Sequence, residues 1–130
     1  AHMYRKIGEE FIADDFAHEQ SVVFETGKGL VIFNSCSHGG IVNIVREVQM
    51  ALGGQKVYAV VGGFHMMKLS GMDTLAIPEE EVVETAQELK GLGVEKIYTG
   101  HCTGNIAFRI LKKELGEMVH ALGTGETVIF

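Results

Sequence analysis

The sequence predicts an α/β fold in which helices pack over a mixed or largely parallel sheet. Two observations carry this. The spacing of the apolar residues switches repeatedly between a strand-like and a helix-like period along the 130 residues, and glycines cluster where it switches. Alternation of that kind puts helices against a sheet rather than into a bundle.

Residues 20–26 and 29–35 read as two strands, joined by a tight hairpin at Gly27-Lys28-Gly29. Apolar positions 41, 44, 45, 48 and 52 share one helical face, which Gly53-Gly54 terminates. The wholly apolar run Val57–Val61 has the composition of a strand buried on both faces. A loop over 66–77 precedes Pro78, which starts a second helix, and Glu79, Glu80 and Glu81 suit the positive end of its dipole. Residues 96–99 form the next strand and 105–115 a third helix, closed by Gly116 with Lys112 and Lys113 in its last turn. Residues 118–122 and 126–130 are expected to pair as two closing strands around Gly123-Thr124-Gly125. The expected order is β-β-α-β-α-β-α-β-β.

A formal net charge of −6 is unsuited to a nucleic-acid duplex binder, so no nucleic acid is expected as partner. No apolar run is long enough to span a bilayer, so no membrane is expected either. Two cysteines, Cys36 and Cys102, are too few for a disulfide scaffold, and with no targeting segment the expected location is cytoplasmic. Ala1-His2-Met3 reads as a cloning scar (residues 1–3), leaving residues 4–130 as one domain.

The chemistry lies in the histidines. His38, His65 and His101 each follow a predicted strand and sit among glycines: Cys36-Ser37-His38-Gly39-Gly40, Gly62-Gly63-Phe64-His65 and Gly100-His101-Cys102-Thr103-Gly104. The carboxyl edge of such a sheet is where ligands bind. Imidazoles there can hold zinc, iron or manganese, or move protons near neutral pH. A single loop histidine is usually just a solvated residue, whereas three at matching strand ends point to a site. Thr103 is placed to cap a helix or to donate its hydroxyl to substrate. Cys102 reads as a small buried hydrophobe, and His120 as structural or exposed. Asp14, Asp15 and Glu19 are candidates to orient a histidine from behind.

These segments, together with Asp14-Asp15-Phe16-Ala17-His18-Glu19-Gln20-Ser21, resemble the metallo-β-lactamase superfamily. More narrowly, they resemble its dihydropteroate-synthase-like or ribofuranosylaminobenzene 5′-phosphate synthase-like branch. The resemblance implies half of an αββα sandwich, a mixed sheet with helices packed on one face. It also implies a metal-dependent hydrolase in which a metal-activated water attacks a phosphoester or similar polar small molecule. On that basis the expected metal ligands are His38, His101 and His18, and the expected ion is divalent, zinc first and iron or manganese next. His65 is the expected catalytic proton-transfer residue, and Cys36, Thr103 and Gly104 the substrate contacts. Whether His38 or Cys36 makes the metal bond stays open, with His38 preferred.

The superfamily's His-x-His-x-Asp-His signature is absent, and no His-x-His occurs anywhere. The chain is therefore expected to be a C-terminal half that is inactive alone, with a homodimer or a missing N-terminal half-domain as partner. The alternative is a noncatalytic metal-binding or self-association module built on a half-fold.

Overall fold

The computed structural model describes residues 3–130, so Ala1 and His2 of the expected cloning scar lie outside the described residues. Five strands form the main sheet in sequential order: β3 (Val22–Thr26), β4 (Gly29–Phe33), β5 (Val57–Gly62), β6 (Lys96–Thr99) and β7 (Val119–Ala121). β3 and β4 pair as the expected antiparallel hairpin, and every later pairing is parallel, so the sheet is mixed. Helices α1 (Ile41–Ala51), α2 (Glu79–Gly91) and α3 (Asn105–Leu115) supply the crossovers. Among the described residues no helix is long and apolar enough to cross a membrane.

All three helices cover one face of the sheet. Leu30, Ile32, Val57, Val60, Ile97 and Val119 from the strands share one core with the buried stripes of the helices. Those stripes are Ile41, Ile44 and Val45 in α1, Val82, Ala86 and Leu89 in α2, and Ala107, Leu111 and Leu115 in α3. The opposite face carries a smaller cluster of Val31, Ala59 and Val61 with Phe33, Tyr58, Tyr98, Leu122 and Phe130, to which no helix of the described residues contributes. A bulge in β5 shifts which of its residues fall on each face. Leu30 pairs with Val57 and Val31 with Ala59, so Tyr58 is the unpaired extra residue that resets the alternation of β5.

Two expectations fail. Residues 126–130 form no strand. Gly123 N donates to Glu126 Oε2 in a local turn (2.7 Å), and Phe130 then lies edge-on against Phe33 and Tyr98, with ring centroids 6.0 and 5.6 Å away. Burying Phe130 on the bare sheet face takes the place of backbone pairing. The second failure is an unforeseen hairpin, β1 (Tyr4–Ile7) with β2 (Glu10–Ala13), separate from the main sheet. Its residues are mostly exposed and show no clean alternation, so periodicity carries little signal there.

One contact fixes how β4 and β5 end. Gly62 has φ +145°, and a Cβ there would stand 1.8 Å from the Asn34 carbonyl oxygen. Gly62→Ala is expected to destabilise the fold by about 3 kcal/mol or more, combining a left-handed backbone with a backbone clash. Gly27→Ala, with open space around it, should stay within about 0.5 kcal/mol. Urea denaturation of the two variants checks this, and equal small losses would contradict it.

Candidate metal and substrate site

The carboxyl ends of β4, β5 and β6 are drawn together by backbone contact. Gly63 N donates to Ser35 O at 2.8 Å, and a Cβ on Gly63 would meet Cys102 Sγ at 2.5 Å and Ser35 O at 2.9 Å. Glycine is required for the β5 loop to pass between its neighbours. Beneath them runs a buried hydroxyl chain. Thr99 Oγ1 donates to Gly62 O (2.8 Å), the Thr103 and Thr99 hydroxyls are 2.6 Å apart, and Phe64 N donates to Thr103 Oγ1 (2.9 Å). With Thr99's proton on Gly62 O, Thr103 donates to Thr99, and both groups are satisfied.

On this frame sit two adjoining groups. The first is Cys36, His101 and Cys102, whose donor atoms all lie within 4.8 Å of one another. His101 Nε2 is 3.2 Å from Cys36 Sγ, and Cys102 Sγ is 3.6 Å from Cys36 O. Donors around a tetrahedral zinc, with bonds of about 2.0–2.3 Å, stand roughly 3.5–3.8 Å apart. The trio therefore fits a soft divalent ion after small side-chain movements and leaves a fourth position open. Burial, and then the hydrogen bond with Cys36, push the Cys102 thiol up to about 11, while the His65 amide, 3.2 Å from the sulfur, favours the thiolate.

The second group is His38 and His65, whose rings meet edge-on at 4.5 Å. Glu19 anchors it, with its side chain only 12% exposed. Its carboxylate accepts from His38 N (2.7 Å) and Gly39 N (2.9 Å), and Oε1 lies 3.8 Å from His38 Nδ1. Phe16 packs on the other side of His38, centroids 5.8 Å apart. Burial first, and then the neighbouring His38, lower the pKa of His65, against an opposing pull from Glu19. Both rings open onto a cavity of about 940 Å³ that Ile41, Met66, Lys68 and Ile77 also border. The start of α1 reaches the same cavity, and it carries neither a capping side chain nor an acidic residue in its first turn. The Glu19 carboxylate takes the two amides just ahead of the cap, and the first-turn amides beyond it have no side-chain partner.

The non-glycine residues with positive φ among the described residues are Phe16, Ser37, His65 and His101. Three lie in the strand-end loops and the fourth packs on His38. Left-handed backbone at such residues costs about 1–3 kcal/mol each and concentrates where geometry serves a site.

The expected residues are thus only partly brought together. His101 and Cys36 meet, and His38 meets His65. His38 is outside the close donor trio, so the nearest partner of His101 is a thiol rather than a second imidazole. His18 stands 64% exposed, facing Asp14 at 3.7 Å, because the loop after β2 turns Glu19 inward and His18 outward. Thr103 is fully buried, and its hydroxyl is spent inside the frame. Gly104 is covered by the 66–77 loop, a Cβ there meeting that of Met67 at 2.7 Å. His120 stacks on Tyr98 at 4.9 Å, away from these groups. Cys102 is buried, as expected, and its sulfur also lies within reach of the Cys36 and His101 donor atoms. Its place next to His101 was the available sign.

The fold is one half of a metallo-β-lactamase-type sandwich. Tm1679, whose crystal structure is described as a metal-dependent hydrolase of the β-lactamase superfamily, superimposes on 98% of the chain with TM-score 0.84 and 30% identity. The chain is also 37% identical over 128 residues to 7,8-dihydropterin-6-methyl-4-(β-D-ribofuranosyl)-aminobenzene-5′-phosphate synthase of Methanocaldococcus jannaschii. It spans 46% of the first protein and 41% of the second, less than half of either. No family model matches it.

The environment of His65 gives a pH prediction. Its pKa in the folded chain lies below the ordinary value of 6.5, so between those two values the unfolded chain binds more protons. The contribution of His65 to stability is therefore present above about pH 6.5 and lost as pH falls toward the folded pKa. NMR titration should find the His65 midpoint below that of a free histidine, and His38→Ala should raise it. A midpoint at or above the free value in the unaltered chain would contradict the assignment.

Proposed function

We propose that this chain supplies the cysteine–histidine side of a metal-dependent hydrolytic centre acting on a phosphoester or similarly polar small molecule. The observation that carries this is the double use of His65. Its amide touches the Cys102 sulfur of the donor trio, while its ring faces His38 in the adjoining cavity. A place for an ion and a place for a substrate therefore share one residue.

In this reading Cys36, His101 and Cys102 hold the ion. When bound, a divalent ion lowers the pKa of a water and polarises the bond to be broken. His65, kept neutral by burial and by His38, accepts a proton from the attacking group. Glu19 fixes the His38–Gly39 backbone so that the two rings keep their angle. Lys68 and the uncapped start of α1 attract the anionic part of the substrate to the cavity. The support for hydrolysis comes from Tm1679, described as a metal-dependent hydrolase, whereas the relative named as a synthase carries the name of a different reaction.

A second reading comes from the uncovered sheet face. Phe33, Tyr98 and Phe130 form an aromatic cluster there, to which no helix of the described residues contributes, and such a face suits sheet-on-sheet self-association of two copies into a homodimer. Sedimentation at rising concentration tests it: a monomer throughout would remove this second reading.

Elemental analysis of the purified chain after zinc loading and desalting tests the first. About one ion per chain is expected, falling at least about tenfold in Cys36→Ser and in His101→Ala and unchanged in His18→Ala. Retention of metal by both ligand variants would remove the proposed centre.

A further inference from the structure

We propose that Cys36 and Cys102 form an oxidisable pair, joined by a hydroperoxide into one intramolecular disulfide that closes the ion-holding position. The consequence for the ion rests on the centre proposed above; the bond itself does not.

Both cysteines are free, and their sulfurs lie within 4.8 Å of each other. The Cys102 thiol is already directed at the Cys36 residue, with Sγ 3.6 Å from its carbonyl oxygen. The two loops are locked in this relation by Gly63, which is wedged against Cys102 Sγ and Ser35 O. A disulfide needs sulfurs about 2.05 Å apart, so the pair has to close by side-chain rotation, for which the half-exposed Cys36 is the freer partner. Exposure divides the roles. Cys36 reaches solvent and lies 3.2 Å from His101 Nε2, whereas Cys102 is buried behind it.

Cys36 Sγ attacks one oxygen of the hydroperoxide, breaking the O–O bond. It becomes a sulfenic acid, and the other oxygen leaves as water or an alcohol, taking the proton the thiol gives up. Cys102 Sγ then attacks the sulfenic sulfur, the S–S bond forms, and the hydroxyl leaves as water with the Cys102 proton. Two thiols are oxidised, one peroxide is reduced, and a dithiol reductant reverses the change. With both sulfurs tied to each other, His101 alone remains of the trio.

The test treats the whole chain with a small excess of hydrogen peroxide and reads its intact mass without reductant. The expected result is a loss of about 2 Da, a peptide joining Cys36 to Cys102, and full reversal by dithiothreitol. Cys36→Ser should show no loss, and Cys102→Ser should instead give a sulfenic acid on Cys36 that dimedone traps. Oxygen added to the cysteines without a crosslink, or crosslinks only between chains, would overturn the proposal. Zinc loaded beforehand should slow crosslinking by about tenfold or more. Crosslinking at an equal rate with and without zinc would uphold the pair and count against the ion-holding trio.

Discussion

Everything at the carboxyl edge of the sheet depends on how closely three backbones approach one another. Gly62 meets the Asn34 carbonyl where no Cβ fits, and Gly63 sits between Ser35 O and the Cys102 sulfur. The Thr99–Thr103 hydroxyl chain ties the loop after β6 to the end of β5 and its loop. Side chains that are 65 residues apart in sequence, Cys36 and His101, come within 3.2 Å as a result. The strain at Ser37, His65 and His101 is confined to these loops, and the helix-covered core beneath them is what can bear it.

The same contact separates two kinds of chemistry. On one side are two sulfurs and an imidazole, soft donors suited to zinc more than to magnesium or calcium. On the other is a cavity with a pair of rings, a lysine and an open helix start, suited to an anionic ligand with apolar parts. His65 belongs to both sides. Its peptide steadies a sulfur and its ring meets the cavity, so a shift of the β5 loop alters both sides together.

The main sheet and its three helices were readable because their periods are strong and their glycines fall at element ends. The 41–52, 105–115 and 57–61 expectations differ from the structure by a residue at most. The N-terminal hairpin was not readable, since exposed strands need no alternation, and neither was the tail, whose last residue is held by Phe33 and Tyr98 from distant strands. In the site, sequence placed His38, His65 and His101 at strand ends correctly but could not say which way their loops turn. Sequence order does not show that this loop turns Glu19 inward and His18 outward, or that the buried Cys102 sulfur lies near Cys36. A left-handed residue at His101 rotates the following cysteine toward Cys36, and no periodicity records such a turn.

The proposed chemistry stands on Cys36, His101 and Cys102 acting together as an ion-holding group. X-ray absorption at the zinc edge of the zinc-loaded chain tests it most directly. Two sulfur neighbours at about 2.3 Å and one imidazole nitrogen at about 2.0 Å, with a lighter fourth neighbour, are expected. A shell of nitrogen and oxygen alone would contradict it.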